Sequence, residues 1–162
     1  MQMEHNKPIK IVNATAITPQ RMIKECCIVL NDGKILDIGT GNIDVPGALV
    51  IDAQGQFVGP GFIDLHIHGG GGHDFMDNTV EAYLAIAECH ARFGTTSMCP
   101  TTLTAEKEDL LKTLSIYEEA NRQNQNGAQF IGLHLEVPYF AVSQRGAQDP
   151  KYIRNPDPAE YQ

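Results

Sequence analysis

The sequence predicts an α/β fold in two parts: a small β domain over residues 1–57, then the beginning of a TIM-like (β/α)8 barrel over residues 58–162. Short strands and turns fill the first part, whereas strands alternate with helices in the second. Strands separated by helices of this length pair in parallel. A complete barrel needs ~250 residues, and the 105 residues from Val58 onward supply about three of its eight units. The predicted barrel is therefore incomplete.

The N-terminal part is predicted as strands because β-branched and apolar residues recur between turn signals. Residues 9–17 are rich in Ile, Val, Ala and Thr, which favours a strand. Residues 26–39 predict a hairpin, because its turn, Asn31-Asp32-Gly33, tolerates positive φ. Residues 48–58 predict a further strand pair, which is interrupted at Gly55.

The second part is expected to contain three strands, at residues 61–68, 95–102 and 130–136. The first helix should run from about Thr79 to Phe93, with Asn78 as its N-cap and Gly94 as its left-handed end. A second helix begins after Thr104. It should bury one apolar stripe, formed by Leu110, Leu111, Leu114 and Tyr117.

Composition and charge exclude several classes of function. Hydrophobic residues make up 42% and charged residues 20%, which is typical of a folded domain. The net charge of −8 argues against nucleic acid as a partner, although a local pocket can still accept a small anion. No apolar run approaches the ~18 residues of a membrane span, and the first residues lack the apolar core of a signal peptide. We therefore expect a cytoplasmic protein whose four cysteines stay reduced.

The first chemical signal lies at the end of the strand over residues 61–68. Alternate residues of a strand share one face, so Asp64, His66 and His68 lie on the face opposite Ile63 and Leu65. Cα atoms two residues apart are ~6.6 Å from each other, a span across which two imidazoles can bind one divalent metal. The four glycines that follow leave this strand end open to a ligand. The alternative is a pair of polar groups at a strand end.

The second signal lies at the end of the strand over residues 130–136, where His134 and Glu136 share a face. Active sites of parallel α/β proteins are built at such C-terminal strand ends. A carboxylate beside imidazoles is a ligand set for zinc, iron or another divalent ion. The pattern favours Glu136 as a ligand and His134 as a satisfied core histidine. Asp74 and Asp77, after the glycines, are more typical of loop and cap residues.

These residues resemble the amidohydrolase superfamily and, within it, the N-acetylglucosamine-6-phosphate deacetylase family. The opening barrel strand of amidohydrolases follows a closing β-sandwich strand, and both resemble residues 51–69, IDAQGQFVGPGFIDLHIHG. The deacetylase family has blocks that are similar to four further segments, GGGGHDFMD, FGTTSMCPTTLT, IGLHLEVPYF and RGAQDPKYI. The resemblance spans essentially the whole chain. It implies that the small β domain is part of a β-sandwich.

The resemblance implies hydrolysis of the acetamide of N-acetylglucosamine 6-phosphate, giving glucosamine 6-phosphate and acetate. It makes Glu136 a metal ligand, and His66 and His68 match a strand pair that members with a second metal use. Ala147 and Gln148 match a segment that contacts the sugar phosphate. The implied cofactor is one or two divalent ions, zinc or iron, which would polarise the carbonyl and activate water. The complete protein is expected to be a homodimer.

The chain departs from the family pattern in three ways. Val137 stands where the family usually has glycine, whose backbone freedom a β-branched residue lacks. Gln148 stands where many members have histidine; it can donate a hydrogen bond but cannot carry a positive charge. Two further histidine ligands and the catalytic aspartate come from later strands in the family, so no catalytic residue is assigned here. These 162 residues are therefore expected to be an N-terminal fragment that is inactive alone.

Two other functions stay open. A non-catalytic module can bind metal or sugar phosphate without hydrolysing it. Another amidohydrolase, such as a cyclic-amide hydrolase, would share the first barrel strand. The Gly-Ala-Gln segment at residues 146–148 argues against the cyclic-amide hydrolase.

Overall fold

The computed structural model describes residues 7–136 and 138–161, which divide into two compact units between Pro60 and Gly61. The first unit contains strands, and the second combines strands with helices. The predicted α/β class is confirmed at this level, and the sheets are open. The division of the chain into domains at residues 57 and 58 stays a prediction. Among the described residues, no helix is both long and apolar enough to cross a membrane.

The first unit is a single five-stranded sheet. Its strands are β1 (Ile9–Ile17), β2 (Met22–Asn31), β3 (Lys34–Thr40), β4 (Leu49–Asp52) and β5 (Phe57–Val58). The order is β3-β2-β1-β4, and β5 also pairs with β1. The hairpin predicted at residues 26–39 is present, with φ of 48° at Asp32 and 71° at Gly33. A core of small and β-branched side chains lies on this sheet around Ala14, Cys26 and Ile28.

The strand pair predicted at residues 48–58 is wrong in its pairing. β4 and β5 do not pair with each other but lie one after the other along β1, both parallel to it. The turn between them places Gln54 at φ 51° and Gly55 at φ 81°. β1 itself is irregular near Asn13, where φ is 53°. Because these pairings join distant parts of the chain, local turn signals could not indicate them.

The second unit begins with β6 (Phe62–Ile67), β7 (Gly69–Gly70) and β8 (His73–Asp74), followed by a short 3-10 helix and α1 (Val80–Ala91). The remaining main elements are β9 (Thr95–Pro100), α2 (Lys107–Gln123), β10 (Gln129–Phe130) and the one-turn α3 (Pro158–Tyr161). β6, β9 and β10 form a three-stranded sheet in the order β10-β9-β6, and its strands are all parallel. α1 connects β6 to β9, and α2 connects β9 to β10, so the unit repeats a strand–helix–strand arrangement.

An aromatic core holds this sheet against α1. The rings of Phe75, Tyr83 and Phe130 meet edge to face, with centroids 4.6 to 6.3 Å apart. Met98 of β9 is fully buried in the same cluster. Edge-to-face aromatic pairs stabilise a core beyond the area that they bury. This core fixes β9 and β10 side by side and so brings their C-terminal ends together.

The start of α1 differs from the prediction. Thr79 is the N-cap, and its side chain accepts a hydrogen bond from the backbone N–H of Ala82. Asn78 lies one residue earlier at φ 54° and ends the 3-10 helix, because Asn tolerates the left-handed conformation. Asp74 and Asp77 form a capping box around that short helix, as loop and cap residues do.

Two predicted apolar faces are less covered than expected. On α2 the buried residues are Thr113 and Ala120, whereas Leu111 and Leu114 are exposed. Small side chains let the helix approach closely, so the larger leucines lie on its flanks. Ile63 and Leu65, predicted on the apolar face of the first barrel strand, are each at least 60% exposed, because β6 is an edge strand of the described sheet.

Candidate metal centre

The candidate site lies at the C-terminal end of the three-stranded parallel sheet. β6 carries His66, and His68 follows its last residue. The third strand is shorter than predicted, because β10 ends at Phe130. The chain nevertheless stays beside β9, since the N–H of His134 donates to the carbonyl of Pro100 (2.8 Å) and the carbonyl of His134 accepts from the N–H of Thr102 (3.0 Å). This path brings Glu136 to the same end of the sheet as the two histidines.

Three side-chain atoms converge at this point. Nε2 of His66 and Nε2 of His68 each lie 3.2 Å from Oε2 of Glu136. The two Nε2 atoms are also 3.2 Å apart. Within residues 7–136 and 138–161, these side chains form the one group of three or more His, Cys, Asp or Glu whose ligand atoms converge in this way. The structure thus brings together the three residues that the sequence predicts as ligands.

The triangle has the dimensions of a metal site. Two ligand atoms that lie ~2.0–2.1 Å from one tetrahedral ion are about 3.3–3.4 Å from each other. Two imidazole nitrogens and one carboxylate oxygen are suitable ligands for zinc or iron. The side chain of Glu136 is 22% exposed and that of His66 is 49% exposed, so the site is open to solvent on one side. Catalytic zinc sites keep such an open position, whereas structural ones are closed.

The neighbours of the histidines are backbone groups and one further ring. His134 Nδ1–H donates to the carbonyl of Leu65 (3.1 Å), and its ring lies 4.5 Å from that of His66. His134 is therefore outside the converging group, and a backbone acceptor satisfies it, but it is exposed and not in the core as predicted. Asp64 accepts a hydrogen bond from the backbone N–H of His66 (3.1 Å) and so caps the strand end. Nδ1 of His68 is buried without a partner among the described residues.

Gln148 contacts Glu136 directly. Its Nε2–H donates to Oε1 of Glu136 (2.8 Å), the carboxylate oxygen that does not face the histidines. Its Oε1 accepts from the N–H (3.0 Å) and the hydroxyl (2.8 Å) of Thr104. No sequence pattern indicated this contact with Thr104, which lies 44 residues away. Ala147, the other predicted substrate contact, is exposed beside it. Val137, which stands where the family usually has glycine, lies outside the described residues.

The glycines after His68 belong to a small hairpin. Gly69 and Gly70 of β7 pair with β8. Nε2–H of His90 donates to the carbonyl of Gly69 (3.1 Å). A Cβ at Gly70 would lie 2.4 Å from that same Nε2. Glycine fits here because the backbone approaches the His90 side chain of α1 closely, and this contact gives His90 a structural role.

Comparison with known proteins decides the family. Residues 57–161 match the profile of the Amidohydrolase family, which is more than half of the chain. The chain belongs to the amidohydrolase family. Members of this superfamily typically depend on divalent metal ions, and the converging side chains of this amidohydrolase offer a ligand set for one.

Relatives of this amidohydrolase are similar over most of its length. It is 32% identical to the N-acetylglucosamine-6-phosphate deacetylase of Haemophilus influenzae over 150 residues, 91% of this chain and 39% of that protein. The crystal structure of the Pasteurella multocida deacetylase of that name has a TM-score of 0.85 and 30% identity, over 95% of this chain and 40% of that one. A mutant Mycobacterium smegmatis deacetylase, in complex with N-acetyl-D-glucosamine-6-phosphate, has a TM-score of 0.77 and 25% identity, covering 96% and 39%. The chain thus spans about two fifths of the length of these relatives.

Proposed function

We propose that this chain is part of an enzyme that hydrolyses the acetamide of N-acetylglucosamine 6-phosphate, giving glucosamine 6-phosphate and acetate. The observation that carries the proposal is the triangle of two imidazole nitrogens and one carboxylate oxygen, each 3.2 Å from the others. The similarity to deacetylases of that name supports the substrate class. Because the chain covers about two fifths of those relatives, the proposed activity is that of the complete protein.

In this proposal His66, His68 and Glu136 hold a divalent ion, with zinc or iron as the expected metal and one or two ions in the complete site. A bound ion of this kind acts as a Lewis acid on an amide carbonyl and supplies a nucleophilic water at neutral pH. The protein's own contribution is to orient the three donors and to leave one side of the site open for the substrate. Ala147 and Gln148 are the proposed contacts to the sugar phosphate.

We further propose that residues 58–162 are the first three units of a (β/α)8 barrel and that residues 1–57 are part of a β-sandwich domain. The parallel order β10-β9-β6, with a helix in each connection, supports the barrel. In such barrels the active site lies at the C-terminal ends of the strands. The converging side chains lie at that end. The proposed complete protein is a cytoplasmic homodimer.

The metal site is tested by measuring zinc affinity of the purified chain in competition with a chromophoric chelator. Glu136→Gln keeps the size of the side chain but removes its charge. Loss of an outer partner of a metal ligand already costs about 10–100-fold in affinity, so this change is expected to cost at least about 100-fold. His73→Ala is the matched control, because His73 also lies beside a carboxylate, 3.6 Å from Asp77, but outside the converging group. Equal losses in the two variants, or no zinc binding by the wild type, would refute the site.

Activity is tested by incubating the zinc-loaded chain with N-acetylglucosamine 6-phosphate and measuring released acetate. We expect binding of the ion without turnover, because the remaining ligands and the catalytic aspartate of the family come from later strands. Turnover close to that of a complete deacetylase would contradict the expectation that activity needs the residues of these later strands. Dihydroorotate serves as the comparison ligand, and preferential binding of dihydroorotate would favour a cyclic-amide hydrolase instead.

A further inference from the structure

Gln148 forms a bridge between Thr104 and Glu136 at the edge of the candidate metal site. Its carboxamide oxygen accepts two hydrogen bonds from Thr104, and its amide nitrogen donates to Oε1 of Glu136 at 2.8 Å. Thr104 is buried, at 7% exposure, and therefore provides a fixed anchor. The bridge joins the segment after β9 to the segment after β10.

Hydrogen-bond chemistry determines the orientation of this carboxamide. The backbone N–H of Thr104 can only donate, so the group that faces it must be the carboxamide oxygen. An ionised carboxylate can only accept, so the group that faces Glu136 must be the NH2. The reversed orientation would oppose two donors at one end and two acceptors at the other. A single orientation of Gln148 therefore satisfies both neighbours.

This bridge fixes the rotation of the Glu136 carboxylate relative to the histidines. A carboxylate has two equivalent oxygens and rotates readily about its terminal torsion. With Oε1 bound by Gln148, the other oxygen, Oε2, is left directed at Nε2 of His66 and of His68. Partners that orient a metal ligand raise its affinity because the ligand loses less freedom on binding. The arrangement is that of a ligand fixed in advance with one oxygen toward the ion.

We propose that Gln148 is a positioning residue for Glu136, which holds the carboxylate in the orientation that binds the metal through one oxygen. This role rests on the proposed metal site. It is compatible with the proposed substrate contact, since a primary amide has two N–H donors and the bond to Glu136 uses one. The ligand whose binding this positioning favours is a divalent cation. Thr104 anchors Gln148, and Gln148 in turn orients Glu136.

The test measures Co²⁺ binding by the whole chain, using the visible absorption of the bound ion and competition with a chelator. Gln148→Met keeps the length of the side chain and removes both hydrogen-bonding functions. We expect its Co²⁺ affinity to fall about 10–100-fold, with a changed absorption spectrum because the carboxylate is released. Gln144→Met is the matched control: Gln144 is exposed four residues earlier, and this change should leave affinity within about twofold of the wild type.

Two further variants separate positioning from folding. Gln148→His restores a donor to Glu136 and is expected to recover most of the affinity and the wild-type spectrum. Thr104→Val removes the hydroxyl donor but keeps the backbone N–H, so its loss should be smaller than that of Gln148→Met. Thermal unfolding without metal should give similar midpoints for all four variants.

The outcomes distinguish the two proposals. Unchanged affinity and spectrum in Gln148→Met, while the wild type binds Co²⁺, would overturn the positioning role and leave the metal site intact. Equal loss in Gln148→Met and Gln148→His would also overturn the role, since the donor would then not matter. Absence of binding by the wild type would overturn the metal site and this role together.

Discussion

The close contact between Gly70 and His90 allows a stability prediction with a defined magnitude. In Gly70→Ala the added Cβ lies 2.4 Å from Nε2 and 3.0 Å from Cδ2 of His90. The φ of Gly70 is not positive, so the backbone itself tolerates alanine. The imidazole must therefore move, and it loses its hydrogen bond to the carbonyl of Gly69.

The cost follows from these two effects. A lost hydrogen bond typically costs about 0.5–1.5 kcal/mol, and overpacking a filled site costs about 1–3 kcal/mol. Because the clashing atom is the tip of a side chain that can rotate away, we expect a total near 2 kcal/mol. If His90 is first changed to alanine, the obstacle and the bond are both absent. Gly70→Ala should then cost less than about 0.5 kcal/mol, a coupling of about 1–2 kcal/mol.

Urea unfolding of the four chains of this double-mutant cycle measures the coupling. The far-ultraviolet helical signal is suitable, because α1 and α2 both lie in the second unit. Gly132→Ala is the control, since its new Cβ would meet only Sγ of Cys99 at an ordinary 3.8 Å. The same cost for Gly70→Ala with and without His90 would refute the reasoning.

Two further predictions concern the aromatic core. Phe130→Ala is expected to lower the free energy of unfolding by about 3–5 kcal/mol, whereas Phe93→Ala, at 79% exposure, should change it by less than about 0.5 kcal/mol in urea unfolding. The Tyr83 hydroxyl is buried without a partner among the described residues, so Tyr83→Phe should raise that energy by about 1 kcal/mol. Burial, with a smaller effect of the Asp74 carboxylate, raises the pKa of Tyr83 in the folded protein. The unfolded chain therefore begins to lose this phenol proton above about pH 10 while the folded protein keeps it, so the free energy of unfolding falls above about pH 10. The midpoint temperature of thermal unfolding should therefore fall less steeply with rising alkaline pH in Tyr83→Phe than in the wild type. An equal fall in the two proteins would contradict this.

The elements that were predicted correctly depend on short-range chemistry. The hairpin turn at Asp32 and Gly33 and the left-handed Gly94 are determined by their own backbone preferences. The pairing of β4 and β5 with β1 was missed because it joins residues about 40 apart, for which a local pattern carries no information. Thr79 and Asn78 are both good caps, and only the preceding 3-10 helix decides between them.

The candidate site was predictable to a similar extent. Strand alternation was enough to propose His66 and His68 on one face of a strand end. Glu136 was proposed from a strand that in the structure ends at Phe130, and backbone hydrogen bonds of His134 to Pro100 and Thr102 bring it to the same end of the sheet. The role of Gln148 was not predictable from spacing, since it reaches Glu136 from an irregular segment. The resemblance pointed to its position without indicating which neighbour it contacts.

The order of the parallel strands has a consequence for folding. β6 and β10 lie on opposite sides of β9 and have no backbone pairing with each other. An ion held by His66, His68 and Glu136 would therefore link the end of β6 to the segment that follows β10, across the end of the middle strand. A disulfide stabilises a fold by constraining the unfolded chain, whereas a reversibly bound ion stabilises it by binding to the native state. In the proposed enzyme, the concentration of free metal would then set the stability of this fold as well as the activity. Each native molecule that binds an ion is withdrawn from the unfolding equilibrium.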